Sequence, residues 1–315
     1  MSIDYGDWTV RVDSVGGDVA PYLIDESSNS VSGQVLVLVH GFKNSRRDAW
    51  DRYEEFLDQV LKYAGGIPGE LSIRGFTWPG DANFGPVSFA GFLSYPVEVR
   101  DARMSARRLA YHLATLTGPE GRPVEISLLG HSLGCRLILE ALANLVGQDK
   151  DRQRDGDEDG PRVPVNTIFI RIVGLMAAAV PVVLVEEGGR LEEPSRIAGK
   201  RLVFHSSMDQ VLRFAFPAGQ ILSHQIRLED QPYLNAVGLY GEPVGFGEGR
   251  ESLYPNSHGD YWGDYRIASR IANEFGAAVI RELKHRETET YQIPEMPELV
   301  GRNIGGRDIS GDEFR

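Results

Sequence analysis

Runs of apolar residues divide the chain into predicted strands and helices. A continuous apolar run at residues 35–39 is typical of a strand buried on both faces of a parallel sheet. Further strands are predicted at residues 71–77, 124–129, 168–178 and 201–206. Apolar side chains at helix spacing occur at residues 48–63, 97–116 and 264–285, and after Gly134 to about Leu145. Two alternating stretches at residues 8–12 and 19–24 flank Gly16-Gly17 and predict an opening hairpin.

Strands that alternate with helices indicate βαβ units with right-handed crossovers. The predicted fold class is α/β, with a mostly parallel, doubly wound sheet that is covered by helices on both faces. We expect a single domain over residues 1–286. Residues 287–315 contain prolines and a glycine pair without clear periodicity, so they predict an irregular C-terminal tail.

Composition narrows the class of protein without changing this fold prediction. Of the 315 residues, 42% are hydrophobic and 25% are charged, which is typical of a globular protein with a sizeable core. The formal net charge of −12 disfavours nucleic acid and anionic membranes as partners. The most apolar stretch, residues 172–185, is too short to span a bilayer. The N-terminus lacks the pattern of a signal peptide, and we expect a cytoplasmic protein.

A single cysteine, Cys135, cannot form an internal disulfide, and no Cys/His spacing typical of a metal site is present. We therefore expect no metal. Cys135 begins the helix that follows residue 134, and we interpret it as a small buried side chain.

The pentapeptide Gly130-His131-Ser132-Leu133-Gly134 carries the strongest chemical signal. A G-x-S-x-G sequence between a strand and a helix puts its serine on a sharp turn, where the oxygen is exposed at a helix N-terminus. Here an apolar strand precedes the motif and an apolar helix follows it. The alternative is a structural Gly-Ser turn. We interpret Ser132 as a nucleophile.

A serine nucleophile needs two backbone N–H donors for the oxyanion that it creates. The residue after the nucleophile, Leu133, supplies one of them. The other is expected from the loop after an earlier strand, where the sequence reads His40-Gly41-Phe42, and Phe42 is the predicted donor. We expect the His40 side chain itself to pack under this loop.

The general base is predicted to be His258. Of the seven histidines, only His258 lies in a turn-rich loop, PNSHGD, just before the final predicted helix. His205 falls in a strand, and His224 precedes a late region rich in glycine and proline. A surface histidine is the alternative, which the order Ser…Asp/Glu…His disfavours.

The acid that orients this base is expected at the end of a late strand. Asp209 follows the strand at residues 201–206, which places it at the carboxyl edge of the sheet. Asp230, Glu186 and Glu187 remain rivals, and a helix N-cap is another role for Asp209.

In chain order, HGF, GHSLG, SSMD and NSHGDYW resemble the α/β-hydrolase superfamily. The sequence is most similar to a bacterial branch of unknown function that has an HG-[YF]-x-N loop, here residues 40–44, and a W-P loop, here Trp78-Pro79. The resemblance covers roughly residues 30–285. It implies an α/β-hydrolase fold and a triad of Ser132, Asp209 and His258.

Two insertions are of interest. Residues 80–99 are rich in aromatic side chains, and in this fold such a stretch often forms a lid; ordinary core packing is the alternative. The predicted pocket residues are Trp78, Phe84 and Phe89. Residues 149–160 form an acidic segment. Its residues 155–160 begin like a calcium loop, but position twelve of that loop falls on Asn166, so a solvated acidic loop is predicted.

Together these features predict a serine hydrolase that cleaves a carboxylic ester of a small molecule and needs no cofactor. Thioesters and amides are related possibilities. The alternative is a catalytically inert binding or scaffold protein on the same fold, since a fold alone does not determine function.

Overall fold

The predicted strands form one sheet. Among the residues that the structure describes, this sheet has eight strands: β1 (Asp4–Arg11), β2 (Val19–Asp25), β3 (Gln34–Val39), β4 (Leu71–Thr77), β5 (Glu125–His131), β6 (Phe169–Met176), β7 (Ala198–His205) and β8 (Glu251–Ser252). Their order across the sheet is β2-β1-β4-β3-β5-β6-β7-β8. The pair β1–β2 is antiparallel, as the hairpin pattern predicts, and every other neighbouring pair is parallel.

The structure is a computed structural model that describes residues 4–12, 18–25, 31–63, 71–81, 94–164, 169–247, 251–252 and 257–274. These residues all belong to a compact unit that spans Met1–Arg281. The end of the last predicted helix, the domain boundary at residue 286, the tail at 287–315 and residues 82–93 of the predicted lid lie outside the described residues.

The helices lie between the strands in the predicted order. Their bounds are α1 (Arg46–Tyr63), α2 (Tyr95–Thr115), α3 (Leu133–Leu145), α4 (Glu192–Ser195), α5 (Phe216–Gln225), α6 (Val237–Tyr240) and α7 (Tyr265–Glu274). None of these described helices is long and apolar enough to cross a membrane.

Two consecutive residues of β4 reveal that helices cover both faces of the sheet, because neighbours on a strand point to opposite faces. A side chain on Gly75 would lie 2.8 Å from the ring of Trp50, so α1 covers that face. On the other face the Arg74 guanidinium lies 6.0 Å from the Trp8 ring. The Trp8 ring contacts His112 of α2 edge-on, with ring centroids 4.3 Å apart. The predicted doubly wound α/β fold is therefore confirmed.

The sequence pattern misses the helical segment after β7. A π-helical turn at Val211–Ala215 continues into α5. Pro217 and Gly219 obscure this helix in the sequence, yet both fit it. Pro217 lies in the first turn, where its missing N–H costs no hydrogen bond. At Gly219 a Cβ atom would lie 2.6 Å from the Tyr95 ring, so the glycine lets α5 approach α2.

The acidic segment at residues 149–160 is not the solvated loop that its charge run predicts. Asp155 and Asp157 are buried. Arg107 of α2 donates hydrogen bonds to both carboxylates, at 2.7 and 3.1 Å, and Arg103 binds Asp155 at 3.1 Å. Buried carboxylates are tolerated when opposite charges pair with them inside the protein. Here arginines one helical turn apart on α2 supply those opposite charges.

We expect Arg107→Met to lower the free energy of unfolding by roughly 3–5 kcal/mol, because it removes a buried positive charge that pairs with two buried carboxylates. The matched control is Arg196→Met, which removes an arginine whose side chain is 65% exposed and which pairs with Glu192. That change should cost about 1 kcal/mol or less. Urea unfolding followed by circular dichroism measures both, and equal losses would contradict a structural role for the buried ion pairs.

Candidate active site

Ser132 lies at the turn between β5 and α3. Its backbone angles, φ 53° and ψ −121°, fall in a region that residues with side chains rarely adopt. The flanking glycines have no room for a side chain. A Cβ atom on Gly134 would lie 2.3 Å from the His40 carbonyl oxygen, and one on Gly130 would lie 2.8 Å from Ile138 Cδ1. The strand, turn and helix that the motif predicts are therefore present.

The structure brings the side chains of Ser132, His258 and Asp209 together. His258 lies in the loop before α7, and its Nε2 atom is 2.9 Å from Ser132 Oγ. The Nδ1 atom of His258 is 2.7 Å from Asp209 Oδ2. Because a carboxylate only accepts hydrogen bonds, Nδ1 carries the proton and Nε2 is left to accept from the serine hydroxyl. The order of hydrogen bonds is that of a nucleophile, a base and an orienting acid.

Asp209 makes contacts that fit both of the roles that the sequence leaves open for it. The residue follows β7 and is fully buried. While Oδ2 binds His258, Oδ1 accepts a hydrogen bond from the Leu212 N–H at 3.0 Å, at the start of the π-helical turn. Each carboxylate oxygen thus has a partner, and the backbone contact fixes the direction in which Oδ2 points.

The rival acids lie elsewhere. The Asp230 side chain is 74% exposed and pairs with Arg154 at 2.8 Å, and Glu186 and Glu187 are exposed. Of the histidines outside the two motifs, His112 is on α2, His205 ends β7 and His224 is on α5. His285 lies outside the described residues.

The two predicted oxyanion donors lie beside Ser132. Leu133 is the first residue of α3, so its N–H has no acceptor within the helix. Phe42 follows β3, and among the described residues its N–H donates to none. The loop packs directly on the serine, since a Cβ atom on Gly41 would lie 2.8 Å from Ser132 Cβ. Both residues line the same cavity as Ser132.

His40 and Trp78 form the support beneath this loop. The rings stack with centroids 5.4 Å apart, and the Trp78 indole donates to the His40 carbonyl oxygen at 3.0 Å. His40 Nε2 accepts the Trp78 backbone N–H at 3.1 Å. Burial lowers the pKa of His40 to about 3, so this histidine is neutral at pH 7.

The predicted assignment of Trp78 to the substrate pocket is wrong, because its side chain is fully buried under the loop and does not line the cavity. Phe84 and Phe89 lie outside the described residues.

A cavity of about 620 Å³ opens at Ser132 and His258. Apolar side chains dominate its lining, and Lys43 is the one lysine or arginine among the described lining residues. One wall consists of Val211, Phe214, Ala215 and Ala218, which come from the π-helical turn and α5. This wall was not predicted from the sequence, because the helix was not predicted. The four residues are nevertheless spaced at i, i+3, i+4 and i+7, which is typical of an amphipathic helix.

Comparison with known proteins identifies the family. Residues 20–230, more than half of the chain, match the sequence model of a family described as "Alpha/beta hydrolase of unknown function (DUF900)". The chain belongs to this family. Ser132 and Asp209 lie within the matched residues of this α/β hydrolase, and His258 follows them. No curated protein sequence matches the chain.

Solved structures similar to this α/β hydrolase include a bifunctional GH43-CE protein of Bacteroides eggerthii, at 14% identity and a TM-score of 0.40. That match covers 80% of this chain and 32% of the other, so the chain spans about a third of that protein. Acyl-protein thioesterase 2 of Zea mays matches at 13% identity and a TM-score of 0.38, over 80% of this chain and 97% of that one. Polyneuridine aldehyde esterase matches at 13% identity and a TM-score of 0.36, over 78% and 99%.

Two further groups near Ser132 have pKa values shifted by burial. Burial lowers the pKa of His131 to about 3, and the nearby His258 acts in the same direction. Cys135 is a free, buried cysteine whose pKa is raised by burial, so it stays a thiol at pH 7. In the described ranges no group of three or more His, Cys, Asp or Glu side chains is arranged to hold a metal ion.

Proposed function

We propose that this α/β hydrolase cleaves carboxylic esters through an acyl-enzyme formed on Ser132. One observation carries the proposal: Ser132 Oγ lies 2.9 Å from His258 Nε2, and His258 Nδ1 lies 2.7 Å from Asp209 Oδ2, at the edge of an apolar cavity. These distances are those of hydrogen bonds that activate a serine. The strained backbone of Ser132 also supports a functional role, because such strain is retained mainly at functional sites.

In the proposed reaction, Ser132 Oγ attacks the ester carbonyl carbon while His258 Nε2 takes the hydroxyl proton. The carbonyl oxygen becomes negative and accepts hydrogen bonds from the Phe42 and Leu133 amides. Asp209 holds the Nδ1–H tautomer and stabilises the positive charge on the imidazole. The intermediate then collapses, the C–O bond of the ester breaks, and His258 returns the proton to the leaving alcohol.

Water completes the proposed cycle. It attacks the acyl carbon and gives one proton to His258, and the acid product leaves as Ser132 regains that proton. These reaction steps require no cofactor, because the nucleophile, the base and the oxyanion donors all belong to this chain.

Labelling with a fluorophosphonate probe tests the proposal, because such probes phosphonylate an activated serine. We expect the native protein to take up one probe molecule, with the adduct on the peptide that contains Ser132, and to hydrolyse p-nitrophenyl acyl esters. Heat-denatured protein is the control for unspecific reaction. A folded protein that takes no probe and turns over none of the esters would instead be the inert binding protein that the fold also allows.

We expect neutral acyl esters to be better substrates than coenzyme A thioesters. The apolar lining favours the binding of acyl chains. Each methylene that is buried contributes about 0.8 kcal/mol, which corresponds to a roughly fourfold increase in kcat/KM. The net charge of −12 slows the encounter with an anionic substrate, and at long range it outweighs the single Lys43 at the cavity.

The measurement compares kcat/KM for octanoyl-coenzyme A with that for a neutral octanoyl thioester, which isolates charge from thioester chemistry. The disadvantage of the coenzyme A substrate should shrink as salt is added. A preference for the coenzyme A thioester at low salt would refute the expectation.

A further inference from the structure

His131, the residue before Ser132, contacts the loop that carries His258. The backbone carbonyl oxygen of His258 lies 2.7 Å from His131 Nε2. Because a carbonyl oxygen only accepts hydrogen bonds, Nε2 must carry the ring proton and donate it. The His131 ring also lies 5.0 Å from the His258 ring and 5.9 Å from the Trp262 ring, centroid to centroid. The imidazole of His131 therefore binds the backbone of the same residue whose side chain faces Ser132.

The other side of the His131 ring faces the loop after β3. A Cβ atom on Gly41 would lie 3.0 Å from His131 Nδ1, so this ring nitrogen packs against the loop that holds Phe42. The ring of His131 thus lies between two loops, one with a predicted oxyanion donor and one with the predicted base.

We propose that His131 is a positioning residue, whose hydrogen bond to the His258 carbonyl holds the base at the distance from Ser132 that proton transfer needs. This inference rests on the proposed function. Ser132 and His131 are consecutive residues at the end of a buried strand, so their relative position is fixed by one peptide unit. The hydrogen bond from His131 therefore positions the backbone of His258 relative to Ser132 Oγ, whereas Asp209 contacts the imidazole ring of His258.

The remaining nitrogen of His131 argues against a role in stability alone. Nδ1 is buried and has no hydrogen-bond partner among the described residues. A buried polar atom without a partner destabilises the folded state, and an apolar side chain would avoid that cost. Burial also keeps His131 neutral at pH 7, so it adds no positive charge beside the imidazolium that forms on His258.

Three variants separate the hydrogen bond from the packing of this side chain. In His131→Gln the amide nitrogen reaches the place of Nε2 and can still donate to the His258 carbonyl. In His131→Asn the amide is one bond too short, and His131→Leu keeps apolar packing without a donor. Ester turnover gives kcat and KM separately, the rate of fluorophosphonate labelling reports the reactivity of Ser132, and thermal melts report folding.

We expect the Asn and Leu variants to lose up to roughly 10²-fold in kcat, since a small misplacement of a catalytic group has effects of this size. Their KM should stay within about twofold, because the acyl cavity is untouched, and labelling should slow in parallel. The Gln variant should recover most of the wild-type kcat. The Leu variant should melt no lower than the Gln variant, because it removes the unpartnered nitrogen.

The outcomes distinguish this inference from the proposed function. Wild-type rates in both the Asn and the Leu variants, with normal wild-type turnover and labelling, would overturn the positioning role alone. Losses that track the fall in melting temperature, equally in Gln, Asn and Leu, would assign His131 to folding instead. A wild-type protein without turnover or labelling would overturn the proposed function, and the positioning role with it.

Discussion

Asp209→Asn is expected to lower kcat on an ester by up to about 10⁴-fold while the protein stays folded. The amide nitrogen of asparagine would donate towards His258 Nδ1, which now lies 2.7 Å from a carboxylate oxygen. The imidazole would then carry its proton on Nε2, where it cannot accept the proton of Ser132. The fold should survive, because the asparagine oxygen can still accept the Leu212 N–H that Oδ1 accepts now.

The matched control for this change is Asp230→Asn. Asp230 is the rival acid. Its side chain is 74% exposed and forms an ion pair with Arg154. Its replacement should leave kcat near the wild-type value. Turnover and a thermal melt of both variants decide the assignment: if Asp230→Asn lost activity and Asp209→Asn did not, the acid would be Asp230.

Ser132→Ala is expected to lose about 10³-fold or more in kcat, because it removes the atom that forms the acyl-enzyme. His258→Ala should cause a similar loss. Since a nucleophile and its base act as a unit, the double variant should be little worse than either single variant. His224→Ala is the histidine control, because that residue lies on α5 and its Nδ1 faces the Glu229 carbonyl oxygen. An equal loss in folded His224→Ala would reject His258 as the base.

A second replacement at position 132 separates activity from stability. Ser132 has a φ of 53°, which strains a residue with a side chain but not glycine. Ser132→Gly should therefore be as inactive as Ser132→Ala and yet melt at a higher temperature. Retained ester turnover in either folded variant would end the serine-hydrolase proposal.

Local sequence patterns were sufficient to predict the fold of this hydrolase. The apolar run of β3 and the strand that leads into Gly130 each predict a buried strand from adjacent residues alone. The glycines around Ser132 are required by atoms within a few ångströms of the turn, so the motif carries its own steric signature. The assignments of Asp209 and His258 followed from their positions in that chain order, and their catalytic roles stay predictions.

The helix after β7 was not predicted from the sequence, because Pro217 and Gly219 are helix breakers in most contexts. Only the position of Pro217 in the first turn and the contact of Gly219 with Tyr95 make them compatible with a helix. Because this helix was not predicted, the residues that form one wall of the cavity were not predicted either. The predicted pocket instead included Trp78, which does not line the cavity.

What the sequence by itself determined is therefore what neighbouring residues encode: the strands, most helices, the strained serine turn and the order of the chemical groups. The tertiary structure alone decided three pairings. It buried Asp155 against Arg107, it stacked Trp78 on His40, and it placed the His131 ring on the His258 carbonyl, 127 positions away along the chain. The physical reason is that such contacts depend on how whole elements pack, and a charge or an aromatic ring in a sequence does not specify its partner.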